Sequence, residues 1–265
     1  MIGASSSEHA LNAATASHVL AVGTSGPSPL WYTTRATGVV ALLLLTATVT
    51  LGMAGTARME TRAVPGVVRA GLHRNLSLLA VAFVAVHVIT TVLDPFARIG
   101  FISAVIPFSS NYRPLWLSLG TIAFDLLLAL IITSLIRTRL PYRAWRAVHW
   151  LAHACWPIAL WHGLGTGTDS RLPWLLALDA ACVLVVGAAI IWRLQLSRRA
   201  DLRKAGILLT AGLVLATVVF AAIGPLQAGW SKRAGTPTHA AGPAHVKTAN
   251  GHRGAPIARH TRDYA

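Results

Sequence analysis

The sequence predicts an all-α membrane protein built as a bundle of six transmembrane helices. Of its 265 residues, 54% are hydrophobic and only 12% are charged, and the mean hydropathy is +0.59. A soluble domain has about 25% charged residues, because charge must cover its surface. The apolar residues also fall in runs of about 20, the length that crosses a bilayer core as an α-helix. A membrane barrel would alternate apolar and polar residues instead.

Six apolar segments are the predicted spanning helices. They cover residues 31–54, 67–93, 115–136, 142–163, 172–192 and 205–225. We expect residues 1–30, rich in Ala, Ser and Gly, to be a mobile leader, because they lack the basic region of a signal peptide. Residues 31–226 are expected to form the transmembrane domain. Residues 227–265 are polar and rich in Gly, Pro, His and Arg, which predicts a disordered tail.

The arginines and lysines between the segments predict the orientation. Twelve of them lie in the first, third and fifth connections or in the adjoining helix turns, and three lie in the second and fourth connections. Because positively charged loops stay in the cytoplasm, both termini are predicted to be extracytoplasmic, in a multi-pass protein of the plasma membrane. The net charge of +15 does not indicate nucleic-acid binding, since it is placed in short loops and no nucleic-acid-binding motif is present.

Histidines are concentrated on the predicted second and fourth helices. These five residues are His73, His87, His149, His153 and His162. Ionisable side chains inside a membrane are costly and are usually functional. One of them is easily explained as a buried hydrogen-bonding residue, but five on two helices are not.

The depth of the histidines predicts two levels. His73 and His149 each lie eight residues after a proline that precedes their helix, and His87 and His162 lie 22 and 21 residues after the same prolines. The predicted orientation makes the two helices parallel, so His73 is level with His149 and His87 with His162. At 1.5 Å per residue the two levels are about 21 Å apart.

Two imidazoles at one level suit b-type haem, whose iron takes axial histidines, and there is no C-x-x-C-H attachment motif. We therefore expect one or two haems, with two preferred. Zinc is disfavoured, because it requires four ligands at one depth. Positions 13 residues apart lie about 140° apart on an ideal helix, so we expect Pro157 to kink or rewind the fourth helix. His153 is either an alternative ligand or a supporting hydrogen-bonding residue.

The run His73-Arg74-Asn75-Leu76-Ser77, followed by His87, His149 and His162, resembles the ferric reductase-like transmembrane domain. The resemblance covers roughly residues 31–195. It implies that His73 pairs with His149 on a cytoplasmic-side haem, and His87 with His162 on an outer haem. It also implies a membrane electron-transfer subunit, with no catalytic residue assigned in this chain.

Relatives of this kind include oxidases and ferric reductases with a cytoplasmic flavin and nicotinamide domain. Here only about 40 polar residues follow the sixth helix, and no G-x-G-x-x-G motif is present. We therefore expect an oxidoreductase subunit without such a domain of its own. A separate flavoprotein or quinol is expected to donate electrons, and an extracytoplasmic protein or small oxidant to accept them.

Three further residues carry open alternatives. Arg74 either pairs with a haem propionate or is a charge that sets topology. Asp125 and Asp179, inside the third and fifth segments, either relay protons or form hydrogen bonds within the bundle. They also support a rival function, a secondary transporter or ion channel that uses intramembrane Asp and His. A haem-free scaffold that keeps the fold is the third possibility.

Overall fold

The described part of the chain is helical and contains no strand. The computed structural model describes residues 28–56, 65–95, 99–167, 169–196 and 200–235. The helices are α1 (Pro29–Thr56), α2 (Gly66–Leu93), α3 (Pro114–Leu135), α4 (Tyr142–Trp150), α5 (Ala152–Thr166), α6 (Pro173–Gln195), α7 (Ala200–Ile223) and α8 (Trp230–Arg233). A 3₁₀ helix, Phe101–Ala104, lies between α2 and α3. The expected all-α fold is confirmed.

Within the described residues, five helices are long and apolar enough to cross a membrane: α1, α2, α3, α6 and the part of α7 from Arg203 to Ile223. Proline marks several of their beginnings, at Pro114 and Pro173 in the first turn and at Pro65 just before α2. Proline suits these positions because the first helical N–H groups have no partner within the helix. Five of the six predicted spanning segments are therefore confirmed by length and composition.

The predicted fourth segment, 142–163, is not one continuous helix. It is divided into α4 and α5, which meet at Leu151. There the Leu151 N–H donates to the Val148 carbonyl, and the Ala154 N–H to the Leu151 carbonyl, three residues apart in each case. Pro157, where the interruption was expected, lies inside α5. A turn of this 3₁₀ type advances about 120° per residue around the helix axis, whereas an α-helix advances about 100°. The turn at Leu151 therefore reduces the angle around the helix axis between the His149 and His162 side chains.

Helix α1 is central to the bundle. It packs along α2 and also contacts α5 and α6, whereas α3 packs along α5 and α7 along α6. A buried cluster joins Met53 of α1 with Trp156 and Leu160 of α5 and Cys182 and Val186 of α6. The Trp156 indole N–H donates to the Thr46 hydroxyl at 2.8 Å, which satisfies the polar atom of that core.

The outer surface of the bundle is apolar. Large side chains such as Leu184, Leu208 and Leu209 are 70–76% exposed. Exposed apolar surface of this extent is what lipid contact requires, because lipid tails are as apolar as these side chains. The chain is therefore a multi-pass membrane protein. Residues 1–27 and 236–265, most of the predicted leader and tail, lie outside the described residues, whereas 227–235 include the short helix α8.

Candidate haem site

Two of the predicted ligands lie on α2 and face α1. The His87 ring contacts the Thr34 carbonyl through Nδ1 at 2.8 Å, and the His73 ring contacts the Thr48 carbonyl through Nδ1 at 3.1 Å. A carbonyl only accepts, so Nδ1–H is the donor in both pairs. That tautomer leaves the Nε2 lone pair of each ring available for a metal, as is usual for metal-binding histidines.

His162 on α5 repeats this arrangement with a different neighbour. Its Nδ1–H donates to the Trp116 carbonyl of α3 at 2.9 Å. The ring centres of His162 and His87 lie 6.2 Å apart, with their planes at 84°. A metal ion bound by both imidazoles, at about 2.0–2.1 Å from each nitrogen, would allow their ring centres to lie up to roughly 6.3 Å apart. The separation of these two rings thus fits one metal between them.

A cavity of about 640 Å³ surrounds this pair of rings. Its walls come from α1, α2, α3, α5 and α6 and are mostly apolar, with Val84, Phe124 and Leu127 among them. Cofactor sites have volumes of about 300–1,000 Å³, apolar walls and a few placed polar groups. His87 and His162, with this cavity, are called the upper level here. His73 and His149 are called the lower level.

The lower level is less complete. His149 lies within electrostatic range of His73 and His153. Its ring stacks on Trp145, with the centres 4.9 Å apart. The Nδ1 atom of His149 and the indole nitrogen of Trp145 are buried, and neither has a hydrogen-bond partner in the described ranges. An unpaired buried donor is destabilising. Among the described residues, no hydrogen bond fixes the orientation of the His149 ring in the way that the Thr48 carbonyl fixes the His73 ring.

His153 faces a different environment. Its Nδ1 lies 3.3 Å from the Trp150 carbonyl of the preceding turn, and its ring stacks on Trp150 with the centres 5.0 Å apart. The Arg193 guanidinium lies over the same indole ring, 5.5 Å from its centre. These contacts favour the supporting role over the ligand role for His153.

Arg35 is a polar residue of the upper level that was not among the site residues predicted from the sequence. It lines the cavity, forms an ion pair with Asp169, and lies over the Trp31 ring at 3.9 Å. Its signal in the sequence is that it is the only charge in the first apolar segment. Arg74, which was selected, is exposed.

The two intramembrane carboxyl groups are placed differently. Asp179 of α6 lines the cavity of the upper level, whereas Asp125 of α3 is not part of its wall. Both side chains are half-buried. Only Asp179 therefore shares a space with predicted ligands.

A buried arginine closes the end of α5 beyond His162. Arg113 is 1% exposed, and its guanidinium donates to the Gly165 carbonyl at 2.9 Å. The Trp230 indole N–H donates to the same carbonyl at 3.1 Å. Burial lowers the pKa of the Arg113 guanidinium, because its charged form loses water. A cation at a helix C-terminus is stabilising, so this loop charge has a structural role that its position in the sequence did not reveal.

Among the described residues, no three His, Cys, Asp or Glu side chains form a group that could bind a metal ion. Haem requires only two protein ligands, because the porphyrin supplies the other four nitrogens. The upper level offers these two ligands and an apolar cavity. Its residues therefore fit a haem, and they do not fit a four-ligand structural zinc.

Fold and site together define a multi-pass helical membrane protein with paired intramembrane histidines. Residues 37–160 match the model of the family described as ferric reductase like transmembrane component. The resemblance predicted from the histidine spacing is therefore confirmed over this part of the chain, and it indicates membrane electron transfer. The matched range includes His73, His87 and His149 and ends two residues before His162. No curated protein and no solved structure matches the chain.

Proposed function

We propose that this protein is a membrane cytochrome of the b type that passes electrons through bis-histidine haem from one face of the bilayer to the other. The observation that carries the proposal is the upper pair. The rings of His87 and His162 lie 6.2 Å apart across an apolar cavity, and each donates Nδ1–H to a backbone carbonyl. A bound haem supplies a one-electron carrier there, and two axial ligands leave no open iron position for a substrate.

The chain's own residues have defined tasks at the upper level. The imidazoles of His87 and His162 donate Nδ1–H to backbone carbonyls and would hold the haem iron through Nε2. The apolar wall excludes water, so little water has to reorient when the charge at the site changes during electron transfer. The ion pair of Arg35 with Asp169 lies on the cavity wall, where its guanidinium is placed to interact with a carboxylate such as a haem propionate.

A second haem at the lower level, between His73 and His149, completes the proposal. With about 21 Å between levels, two haems provide a path across the hydrocarbon. We propose that a separate flavoprotein or membrane quinol donates electrons at the cytoplasmic face. An extracytoplasmic protein or a small oxidant accepts them at the other face, with both chain termini on that side.

The test begins with an absorption spectrum of the purified protein in detergent. Bis-histidine haem gives a Soret band and sharp reduced-minus-oxidised bands, and acid–acetone should extract all of it, because no covalent attachment motif is present. A purified protein without a Soret band contradicts the proposal. Haem that stays on the polypeptide after extraction contradicts the b type.

Vectorial transfer is tested in proteoliposomes of determined orientation. An enclosed reductant and an impermeant external oxidant should turn over when haem is bound, and turnover should fail in the His87→Ala variant. His153→Ala is the matched control, because this histidine contacts Trp150 on its own side of the bundle. Equal turnover by His87→Ala shows that electrons do not pass through the upper level.

The rival function is a proton or ion path. One observation favours it, namely that the Asp179 carboxyl lines the same cavity as His87 and His162. Intramembrane carboxyl groups in cavities are typical of such paths. The two functions are separated by the same proteoliposomes loaded with a pH-sensitive dye. Proton flux in haem-free protein that is lost in Asp179→Asn supports the rival.

A further inference from the structure

Three of the four predicted ligands, His73, His87 and His162, make the same two contacts with a neighbouring helix. A carbonyl of a neighbouring helix accepts Nδ1–H, and four residues later on that helix a glycine faces the ring. For His87 these residues are Thr34 and Gly38 of α1, where a Cβ on the glycine would lie 3.0 Å from the ring atoms Cε1 and Nδ1. Because one turn of helix separates residues four apart, carbonyl and glycine lie on the same face.

His73 and His162 have the same pair of contacts. For His73 they are Thr48 and Gly52, again on α1, and a Cβ at Gly52 would lie 3.3 Å from Cε1 of the ring. For His162 they are Trp116 and Gly120 on α3, and a Cβ at Gly120 would lie only 2.5 Å from Cε1 and Nδ1. Real Cβ atoms essentially never approach within 3.0 Å of another heavy atom, so a side chain at Gly120 displaces the ring.

The spacing along α1 matches the spacing along α2. Thr34 and Thr48 are 14 residues apart, as are Gly38 and Gly52, and so are His87 and His73. Two antiparallel helices with the same 14-residue repeat, nearly four full turns, present the contact twice. Helix α3 has no second glycine at this spacing. The residues 13 and 14 positions after Gly120 are Thr133 and Ser134. Among the residues that the structure describes, no glycine makes this contact with His149, and its buried Nδ1 has no hydrogen-bond partner.

We propose that Gly38, Gly52 and Gly120 are positioning residues for haem ligation. Each leaves the space in which one imidazole rests against the neighbouring helix, so that Nδ1–H reaches the carbonyl four residues earlier and Nε2 would be left to bind the haem iron. His149 lacks this support and is the weakly held ligand. The inference rests on the proposed function, because it assigns a task to each glycine only if haem is bound.

Alanine substitutions test the proposal on the full-length protein in detergent, with haem per chain and the ferric low-spin EPR spectrum as readouts. Gly120→Ala should lose the upper haem, about half of the total, because the closest approach leaves no room for both Cβ and ring. Gly38→Ala should retain haem but shift the EPR g values of the upper haem. Gly52→Ala should give the smallest shift, because its neighbour must move only a few tenths of an ångström.

Two glycines outside the cavity of the upper level are controls. Gly71 precedes His73 by two residues and Gly187 lies on α6, and a Cβ at either position meets no atom within 4 Å among the described residues. Gly71→Ala and Gly187→Ala should therefore keep the haem content and the EPR spectrum of the wild type. A loss in these controls equal to that of Gly120→Ala overturns the proposal.

A double variant separates positioning from packing. If Gly120 acts through His162, then Gly120→Ala combined with His162→Ala should match His162→Ala alone in haem content and Tm, because the contact is already removed. A further drop in Tm in the double variant contradicts the proposal. If the wild type binds haem and Gly120→Ala has the same haem content and EPR spectrum, this inference is wrong but the proposed function stands. If the wild type binds no haem, the proposed function is wrong as well.

Discussion

The upper and lower levels use the same residue type at nearly the same spacing, yet the bundle supports them unequally. At the upper level, His87 and His162 both donate Nδ1–H to carbonyls of neighbouring helices, and their rings are 6.2 Å apart. At the lower level, His73 makes such a bond, but the buried Nδ1 of His149 has no hydrogen-bond partner in the described part of the chain. Spacing along a helix therefore sets the depth of a ligand, whereas the neighbouring helix fixes its orientation.

The largest effect is expected from His162→Ala. Removing one of two axial ligands in the apolar cavity should release the upper haem, so that haem per chain falls from about two to about one. Pyridine haemochromogen absorbance, divided by protein concentration, measures the ratio. His87→Ala should give the same value. If the wild type already binds a single haem and His162→Ala leaves it in place, the upper level is not the site.

A smaller effect is expected at the lower level, where we propose that His149 is a weakly held ligand. Transfer of haem to excess apomyoglobin should be biphasic in the wild type, with the fast phase arising from the lower haem. His149→Ala should remove the fast phase and leave the slow phase unchanged, because sites about 21 Å apart are independent. His153→Ala should keep both phases. A slow phase that disappears in His149→Ala would reverse the order of the two levels.

A moderate effect on the upper level alone is expected from its ion pair. A unit charge about 10 Å away at an effective dielectric constant of about 20 is worth roughly 1–2 kcal/mol, or about 40–80 mV for one electron. Arg35→Gln removes one positive charge from the cavity wall and keeps the Asp169 carboxylate, so it should lower the midpoint potential of the proposed upper haem. Asp169→Asn leaves the guanidinium and should raise it.

The sign of each shift in midpoint potential is a more specific test than its size. If two haems are bound as proposed, a spectroelectrochemical titration should resolve them, and the lower one should keep its potential in both variants. Shifts of the same sign in Arg35→Gln and Asp169→Asn would point to a change in packing rather than to charge. Arg171→Gln is a suitable control, because Arg171 is exposed and its charge is screened by solvent.

The smallest effect is expected from Arg74→Gln. This side chain is exposed, so solvent screens its charge and the potential of the lower haem should stay within the error of the titration. Haem content should also be unchanged. A fall of tens of millivolts would favour the pairing of Arg74 with a propionate over the topological role.

The helices and the depth of the histidines were predictable because both depend on local properties. Runs of apolar residues define spans, and a fixed rise per residue converts sequence separation into depth. The interruption at Leu151 was not predictable in this way. Pro157 is the residue that breaks helices by rule, but the tight turn is formed by an ordinary leucine six residues earlier, so the resulting rotation of His149 relative to His162 could not be read from sequence.

Arg35 and the three glycines were missed for a related reason. A lone charge in an apolar segment is a visible signal, and Arg35 could have been selected by it. Gly38, Gly52 and Gly120 look like ordinary small residues in membrane helices. Their relation to the histidines appears only when α1 is placed beside α2 and α3 beside α5, since contacts across helices join residues more than 20 positions apart.

The sequence alone determined the membrane setting, the helical fold and the family resemblance, and it predicted two histidine levels, because hydropathy and helix rise act along one segment at a time. The tertiary structure alone decided which imidazoles are held and which surfaces enclose the cavity. Helix packing chooses which carbonyl meets each Nδ1–H and where a glycine admits a ring. The difference between the well-supported upper level and the weakly supported lower level is therefore a property of the assembled bundle.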